Sequence, residues 1–557
     1  MSAPEGRPAR GKGAQFRKKR KIAPKKIGKD GDHDEVLNLD VNALLERSRL
    51  ERAEGTETGA DVPKTVLKER GSEGFPETEV TITEISSTGD GLALSPAADH
   101  VYVVPFTVPG DVVKVKVVRS MDTYSATDLL EVIKPGPLRD DSQISCQYFG
   151  RCSGCQLQMM KYSDQLVHKR GIIEKAYKNF SGLLPELIPT IGDTIGSPAQ
   201  YGYRTKLTPH FPKPSKTGEG ENQTTAIPPI GFNYKGRQAV LDIEDCPLGT
   251  DIVRMGLKSE RKRVMENIHT YKLGATLLLR ESTRRIPKNE IEGTPIEGES
   301  QQSETNKPLF WDESWSAKDA ITPDIIRRST DTYVEEERCV TGQTATSYEY
   351  VDDYVFQNKA GSFFQNNNTI LTPFTQYIRD QSLPPSNVAD TGAADDPSSK
   401  SVQKIKYLLD AYSGSGLFTV TLSPLFVSSL GIDISAPGIE AARENARMNN
   451  LPQTGFAAAD AADLFKDVPY PADRTLLVID PPRKGCGMNF LQQMMNYAPA
   501  RVIYVSCNVH TQARDIGVLV RGEGNEKGVK YEIESIRGFD FFPQTGHVES
   551  VAVLNKV

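Results

Sequence analysis

The sequence YVSCNVHTQARD, residues 504–515, places a thiol, Cys507, at the end of a short apolar run. A cysteine at such a position can pack in the core, ligate a metal or act as a nucleophile. The chain has 557 residues and only seven cysteines. The other chemical groups brought to the same region must therefore decide between the three interpretations.

A glycine-rich turn in DAYSGSGLF, residues 410–418, predicts a ligand site. Gly414 and Gly416 follow an apolar run, where they let the backbone approach a ligand at the start of a helix. A G-x-G pattern alone is equally typical of a tight turn that binds nothing. The ligand interpretation is strengthened by acids at the ends of successive apolar runs, namely Asp410, Asp433, Asp460 and Asp480.

These acids indicate which ligand binds. Four carboxylates would repel a diphosphate, but they suit a ligand with hydroxyls, an amine and a sulfonium cation. Asp433 follows Asp410 by 23 residues, where a carboxylate can accept hydrogen bonds from both ribose hydroxyls. We therefore infer S-adenosylmethionine rather than NAD, although each acid taken singly could be a helix cap.

The elements that position these residues alternate after residue 404 between short apolar runs and helical or loop segments. The runs are KYLLDAY, SLGIDI, GFAAAD, TLLVID, RVIYVSC and SVAVLN. This pattern predicts an α/β fold with a doubly wound, mostly parallel, Rossmann-like sheet. Upstream, alternating runs such as EVTITEI and DVVKVKVVRS predict a small antiparallel β-barrel.

The chain divides into four predicted parts. Residues 1–75 form a polar tail that we expect to be disordered apart from a helix around VNALLERSRLERAE, residues 41–54. Residues 76–136 form the barrel, and residues 140–350 form a central α+β domain with a cysteine cluster and polar inserts. Residues 351–557 form the cofactor-binding domain.

Charge and composition bound the function. The net charge is −6, but residues 1–30 carry eleven Lys and Arg against two acids. The segment RKKRKIAPKK, residues 17–26, is typical of a nuclear address or a nucleic-acid tether. We expect a nuclear or cytoplasmic protein, with the mitochondrion a less favoured alternative. No run of about 18 apolar residues predicts a membrane span, and we expect a monomer.

At this point the sequence resembles the RNA uracil-5-methyltransferases, in particular the eukaryotic tRNA (uracil-5-)-methyltransferases. The matching stretches are GSFFQNN (361–367), DAYSGSGLF, VIDPPRKGC (478–486), YVSCN (504–508) and FPQTGHVESVAVL (542–554). Residues 79–135 look like the TRAM-type RNA-binding domain of that family. The chain departs from the family at Ser413, where cysteine is frequent, and at Leu417, where bacterial members often carry a small polar residue.

The resemblance implies a reaction and a set of roles. Cys507 would be the nucleophile that adds to carbon 6 of a uracil, and Glu549 would be the base. The family activity is methylation of the T-loop uridine, position 54, of tRNA to 5-methyluridine through a covalent adduct. The residues implied to contact S-adenosylmethionine are Gln365, Tyr412, Asp433 and Asp480.

Several side chains are candidates for the RNA side of the site. The target base must be flipped out of its stack to reach such a cleft, and Phe363 and Phe364 are candidates for the pocket wall or for core packing. Arg483 could polarise the uracil or contact phosphate. We expect phosphate contacts from the barrel and from three residues in YGYRTK, namely Tyr203, Arg204 and Lys206.

A cysteine cluster with the spacing C-x5-C-x2-C forms a candidate metal site with one further cysteine, the set being Cys146, Cys152, Cys155 and Cys246. Four thiolates suit a [4Fe–4S] cluster or zinc. Resemblance to the bacterial ribosomal-RNA branch of the family favours iron–sulfur, with free structural cysteines the alternative.

Two other function classes compete with the methyltransferase hypothesis. One is an RNA-binding or tRNA-folding protein whose α/β domain does not catalyse, and the other is a nucleic-acid repair nuclease. The set Gln365, Asp480, Cys507 and Glu549 argues against the first. The sequence shows no paired-carboxylate metal site of convincing spacing, which argues against the second.

Overall fold

The computed structural model describes residues 31–54, 76–217, 224–290, 321–384, 405–459, 465 and 468–557. Within them a helix and a six-stranded barrel come first in the chain. Their bounds are α1 (His33–Glu54), β1 (Glu77–Thr81), β2 (Glu84–Ile85), β3 (Gly91–Leu94), β4 (Val101–Val104), β5 (Val112–Ser120) and β6 (Tyr124–Lys134).

The barrel has the strand order β1-β5-β6-β4-β3-β2, and its pairs are antiparallel except β4 with β6. Alternate residues of β5 point inward, so that Val113 and Val115 are buried with Val80 and Val104. The helix expected within the tail begins at His33, and it packs on the barrel through an apolar stripe, Leu37, Val41, Leu44 and Leu45. This spacing is that of one helix face.

The described residues in the middle of the chain form short strands and three α-helices. Their bounds are α2 (Tyr162–Phe180), β7 (Gly192–Ile195), β8 (Lys206–Leu207), β9 (His210–Phe211), β10 (Lys216–Thr217), β11 (Thr224–Thr225), β12 (Gly231–Asn233), β13 (Val240–Asp242), α3 (Asp251–Glu266), β14 (Ala275–Thr276), β15 (Leu279–Pro287), β16 (Ile321–Ser329), β17 (Tyr333–Val340), β18 (Thr346–Val351), β19 (Tyr354–Lys359) and α4 (Leu371–Gln381). Two four-stranded sheets have the orders β13-β12-β9-β14 and β16-β17-β15-β8.

The C-terminal part alternates strands and helices. Their bounds are β20 (Tyr407–Ala411), α5 (Leu417–Leu422), β21 (Ser428–Asp433), α6 (Ala436–Met448), β22 (Thr454–Ala458), β23 (Thr475–Ile479), α7 (Met488–Tyr497), β24 (Arg501–Ser506), α8 (Val509–Arg521), β25 (Tyr531–Phe539) and β26 (Glu549–Lys556). The predicted α/β doubly wound fold is confirmed.

One eight-stranded sheet organises this part, in the order β22-β21-β20-β23-β24-β26-β25-β7. The strands from β22 to β24 are parallel, and β26 runs antiparallel to β24. Helices α2, α7 and α8 cover one face, while α4 and α5 cover the other. Because both faces are covered, the central strands are mostly apolar, as in β23, where every residue is buried and only Thr475 is polar.

Two elements from the middle of the chain complete this sheet. Strand β7 pairs with β25 at its edge, and α2 packs against α8. They lie within the range that the sequence assigns to the central domain. No helix among the described residues has the length and apolar character needed to cross a bilayer.

Candidate active site

The candidate site lies at the edge of the sheet where the parallel strands end. Strands β21, β20 and β23 lie side by side and in register to their last residues. Asp433 ends β21, while Tyr412 and Asp480 are the residues that follow β20 and β23. In an open α/β sheet this carboxyl-terminal edge is where ligands bind.

The register of β24 and β26 brings the thiol and the carboxylate together. The last antiparallel pair joins Ser506 to Ser550, so that the next position on each strand is Cys507 and Glu549. Directly opposed residues in such a ladder have Cα atoms about 5 Å apart. The predicted nucleophile and base therefore lie opposite each other, beside Asp480 on the neighbouring strand.

The turn after β20 is shaped for a ligand. Tyr412 has φ +64°, Gly414 has φ +53° and Gly416 has φ +89°. The backbone therefore makes a tight turn before α5. The Gly414 N–H donates to Asp433 Oδ2 at 3.0 Å, which ties the turn to the adjacent strand end. A Cβ at Gly414 would meet no atom within 4 Å, so the backbone faces open space that a cofactor can fill. The residues present therefore fit S-adenosylmethionine.

Buried acids give this edge an unusual charge state. Burial raises the pKa of Asp480 to about 7, and Asp410 adds to that shift. Burial likewise raises the pKa of Glu549 to about 8, helped by Asp480 and opposed by Arg483. Asp410 has a pKa raised to about 7 by burial, and its Oδ2 accepts from the Thr419 N–H at 2.9 Å. Asp410 therefore anchors α5, while a cation placed at this edge would be stabilised by the other acids.

Cys507 faces a cavity of about 560 Å³. Arg483 and Lys484 line it from the loop after β23, and His547 lines it from the loop before β26. Further walls come from the barrel turn at Ser87 and Thr88, the segment around Gln156, Ile172 of α2, the start of α8, and the start of α1 with the two residues before it, residues 31–36. A cavity of this volume is within the range of small-ligand sites and can take a flipped base.

The thiol requires help to ionise. Burial raises the pKa of Cys507 to about 12, Glu549 and Asp480 add to the shift, and Arg483 acts against it through its charge and a hydrogen bond. The residue after the thiol, Asn508, caps α8 and donates through Nδ2 to the Arg483 carbonyl at 2.9 Å. The structure therefore places the Arg483 loop against the strand end that carries the nucleophile.

The segment that carries Gln365 is fixed by its neighbours. Asn367 Nδ2 donates to the Phe541 carbonyl at 3.2 Å, and the Asn366 carbonyl accepts from the Thr205 N–H at 3.0 Å. These contacts connect Gln365 to the loop before β26, while its role toward the cofactor stays a prediction. Asp460, the remaining predicted cofactor residue, lies outside the described residues.

The candidate RNA-contacting residues separate into exposed and buried ones. Phe363 is 77% exposed, whereas Phe364 is buried in the core against Phe356. The prediction that Tyr203 contacts phosphate is wrong, because it is 1% exposed and its hydroxyl donates to the Pro543 carbonyl at 3.1 Å. In YGYRTK this tyrosine stands next to basic residues, and nothing in that sequence pattern indicates that its side chain points inward.

Arg204 and Lys206 lie close to the same loops. The Arg204 guanidinium stands 5.8 Å from the centre of the Phe542 ring. Lys206 Nζ donates to the Ser362 carbonyl at 3.3 Å, beside Phe363. Both cations therefore flank the loop that carries Gln365 and the loop that precedes Glu549, where phosphate contacts stay a prediction.

The four cysteines of the predicted metal site line one cavity of about 270 Å³. Burial raises the pKa of each thiol, to about 11 for Cys246. Neighbouring cysteines add to the shift at Cys152, Cys155 and Cys246, whereas Asp245 does so at Cys146. Among the described residues no three His, Cys, Asp or Glu are grouped closely enough to hold a metal ion. The thiols thus share a cavity without forming a closed ligand set.

The sequence did not reveal three contributors to the main cavity, namely α1, the barrel turn and Gln156. Each reaches Cys507 by packing between segments far apart in the chain, and no local residue pattern signals such a contact. In the loop that contacts Gln156, Gln544 has a φ of +72°, which is uncommon in a residue other than glycine. Backbone in this region marks a loop whose surroundings hold it in place.

Comparison with known proteins gives consistent results. A family model described as tRNA (Uracil-5-)-methyltransferase matches residues 398–557, and one described as TRAM domain matches residues 73–130. A tRNA (uracil(54)-C(5))-methyltransferase of Schizosaccharomyces pombe is 39% identical over 541 residues, 97% of this chain and 86% of the relative. The Saccharomyces cerevisiae protein of the same name is 37% identical, covering 94% of this chain and 81% of the relative.

A solved structure shares the fold. The Pyrococcus abyssi tRNA (uracil-54, C5)-methyltransferase, in complex with S-adenosyl-L-homocysteine, matches with a TM-score of 0.55 and 21% identity. The match covers 86% of this chain and 100% of the other. The fold of this chain is therefore similar to that of an experimentally determined structure.

Proposed function

Since this chain belongs to the tRNA (uracil-5-)-methyltransferase family, we propose that it methylates carbon 5 of the T-loop uridine, position 54, of tRNA, with S-adenosylmethionine as donor. One observation carries the assignment of roles. Cys507 and Glu549 are the residues that follow the last pair of β24 and β26, beside Asp480. A thiol and a carboxylate are thereby presented to one nucleotide at the edge that holds the donor.

The donor occupies the turn after β20 in this proposal. The open backbone at Gly414 would receive the amino-acid part, and the Asp433 carboxylate would accept hydrogen bonds from the ribose hydroxyls. S-adenosylmethionine supplies an electrophilic methyl group on a sulfonium cation, and the acids Asp480 and Glu549 favour positive charge there. Gln365 and Tyr412 would complete the contacts, as the sequence motifs predict.

The uracil ring needs covalent activation because its carbon 5 is a weak nucleophile. The Cys507 thiolate adds to carbon 6, and the electron pair of the C5–C6 double bond moves toward the carbonyl at carbon 4 as an enolate. The enolate then reforms that carbonyl while carbon 5 attacks the methyl group. The result is a ring bonded to both sulfur and methyl.

Glu549 ends the cycle by removing the proton that remains on carbon 5. The electron pair of that C–H bond restores the C5–C6 double bond, and the pair of the C6–S bond returns to Cys507 as thiolate. Glu549 must therefore be ionised when the adduct is present. Methyl transfer has by then left the donor as a neutral thioether, so Arg483 is the cation that favours the ionised form of Glu549.

The two alternative functions are not favoured. A non-catalytic RNA-binding protein needs neither a thiol nor a buried carboxylate at the sheet edge, yet both are present in register. A metal-dependent nuclease needs grouped acids, and in the part of the chain that the structure describes no such group occurs.

One assay tests the proposed function and the nucleophile together. The protein is incubated with labelled S-adenosylmethionine and undermodified tRNA, and 5-methyluridine is sought in the digest. With 5-fluorouridine in place of the target, carbon 5 has no proton to lose, so a covalent adduct should accumulate. Cys507→Ala should form none, whereas Cys486→Ala, which removes a buried thiol of the same sheet domain, should form it. A full-strength adduct with Cys507→Ala would refute the assignment.

We also propose that Cys146, Cys152, Cys155 and Cys246 hold a [4Fe–4S] cluster. The support is that four thiols from two separate chain segments line one cavity and that a metal cluster would stabilise their thiolate forms. Because no three of them are grouped closely enough to hold a metal ion in the described structure, cluster binding would draw the two segments together. Such a cluster would fasten the 146–155 loop to Cys246. Iron and acid-labile sulfide in anaerobically purified protein, lost in Cys155→Ser, test this; zinc or metal-free protein contradicts it without affecting the methyltransferase proposal.

A further inference from the structure

The loop between β25 and β26, residues 540–548, precedes the proposed base Glu549 and is held in place by hydrogen bonds at Gln544. The Gln544 carbonyl accepts from the N–H groups of Gln156 at 2.8 Å and Leu157 at 3.0 Å. Its side chain and backbone exchange two hydrogen bonds with Gln165, at 3.0 and 3.1 Å. These bonds hold the strained backbone of Gln544 in place.

The side chain of Gln156 bridges this loop to the barrel. Its Oε1 accepts from the Gly546 N–H at 3.1 Å, and its Nε2 donates to the Thr88 carbonyl at 2.7 Å. Gly546 lies so close to the barrel turn that an added Cβ would stand 3.2 Å from Gly89 Cα. Three segments, distant in sequence, therefore meet at one amide group.

We propose that Gln156 is a positioning residue for Glu549, three residues beyond the amide that it holds. This inference rests on the proposed function. Gln156 lines the same cavity as Cys507, and it directly follows Cys155 of the cysteine cavity. The amide fixes where the carboxylate stands relative to carbon 5 of the bound ring.

The step at risk is proton removal, not methyl transfer. Carbon 5 attacks the donor methyl while the ring is held by the Cys507–C6 bond, which does not involve Glu549. The carboxylate acts afterwards, when it takes the carbon-5 proton and the C6–S bond breaks. Loss of the amide should therefore slow the second half of the reaction and leave the methylated adduct on the enzyme.

The start of the loop is anchored independently of Gln156. Lys169 and Asp540 form a fully buried ion pair, and Lys169 Nζ also donates to the Phe542 carbonyl at 3.0 Å. Removing the Gln156 amide should leave this anchor intact. The displacement is therefore confined to the stretch that leads to Glu549.

The test uses Gln156→Met, which keeps the length of the side chain and removes both hydrogen bonds. With tRNA carrying 5-deuterouridine, we expect a larger deuterium isotope effect on kcat than in the wild type. We expect kcat to fall about ten- to a hundredfold, with the single-turnover rate of methyl transfer retained and methylated adduct accumulating. Gln143→Met, an exposed change on the same segment, is the matched control.

A second variant keeps the proposal falsifiable if Gln156→Met folds poorly. Gln156→Glu preserves an acceptor for the Gly546 N–H but sets a carboxylate oxygen against the Thr88 carbonyl, so it should return the isotope effect only partway to the wild-type value. A general loss of folded protein lowers the active fraction without changing the isotope effect. An unchanged isotope effect in Gln156→Met overturns the inference, whereas absence of 5-methyluridine with the wild type would instead reject the proposed function.

Discussion

At the scale of single residues, the site combines groups that are largely uncharged at neutral pH until substrate and donor arrive. Cys507 and Glu549 both have raised pKa values because they are buried beside acids, and Arg483 is the cation that opposes both shifts. The sequence predicted the thiol and the acid from motifs. It could not predict their charge states, which depend on burial and on distances between strands.

The first residue-scale prediction concerns Arg483→Gln. Without the cation the pKa values of Cys507 and Glu549 rise further, so both ionise at higher pH. The rising limb of the plot of kcat/KM against pH should shift to higher pH. Activity at pH 7 should fall about tenfold for each unit by which the thiol pKa rises. Lys484→Gln removes the adjacent exposed cation and should raise KM without moving the profile. If both variants raise KM and neither shifts the pH profile, Arg483 contacts phosphate and does not set the pKa values of Cys507 and Glu549.

The second residue-scale prediction concerns the charge of the donor. The carboxyl groups of Asp480 and Glu549, with pKa values of about 7 and 8, are protonated below those values and ionised above them. The sulfonium cation of S-adenosylmethionine should therefore bind more tightly as pH rises from 6 to 9. S-adenosylhomocysteine has the same amino-acid and ribose groups without the cation, so its Kd should change less.

Calorimetric titration of both ligands across this pH range measures the difference. The ratio of the two Kd values should change with pH in the wild type and become flatter in Asp480→Asn, which removes one of the titrating groups. A ratio that stays constant between pH 6 and 9 would contradict the electrostatic account of the donor site.

At the scale of elements, the strands of the sheet could be predicted because each is a short apolar run. Their order could not, since pairing between β7 and β25 joins residues more than three hundred positions apart and no local pattern specifies it. The same limit explains why the Gln156 contact was missed. Sequence motifs mark strand ends well, because turn residues and acids there are local features.

The prediction at this scale concerns the start of α8. Asn508 Oδ1 caps the helix by accepting from the His510 N–H, while its Nδ2 donates to the carbonyls of Arg483 and Gly31. Asn508→Ala should lower the free energy of unfolding by about 1 kcal/mol and reduce kcat. Asn508→Asp keeps the cap acceptor, so stability should recover, yet it lacks the donor and adds a negative charge beside Cys507.

Chemical denaturation and steady-state kinetics separate these effects. We expect stability near the wild-type value for Asn508→Asp but activity as low as that of Asn508→Ala, or lower. Recovery of both stability and activity in Asn508→Asp would show that the cap alone matters and that the bond to the Arg483 loop contributes nothing to catalysis.

At the scale of the whole molecule, α1 connects the barrel to the catalytic cavity. Its apolar stripe packs on the barrel, and Arg52 donates to the carbonyls of Pro96 and Ala97. Its first turn lines the cavity of Cys507. The chain that precedes this turn is residues 1–30, which lie outside the described residues and carry the basic segment 17–26.

The position of Gly31 limits the distance between the basic segment and the cavity of Cys507. Lys26 lies five residues before Gly31, so it can stand at most about 18 Å from the cavity rim, and Arg17 at most about 50 Å. Phosphates within this distance of the cavity rim would be accessible to the segment. We therefore expect removal of residues 1–30 to weaken tRNA binding with little change in kcat.

The salt dependence of binding distinguishes a tether from an address. Each phosphate contact that is lost should flatten the slope of log K against log salt by about 0.7 to 0.9. A full-length variant with every Lys and Arg of residues 17–26 changed to Gln should match the deletion, because charge and not chain length makes the contact. If the purified wild type and both variants bind tRNA with equal Kd and equal slope of log K against log salt, the segment does not bind the substrate. Its charge would then have to act elsewhere, which nuclear accumulation of a fluorescent protein fused to residues 17–26 would detect.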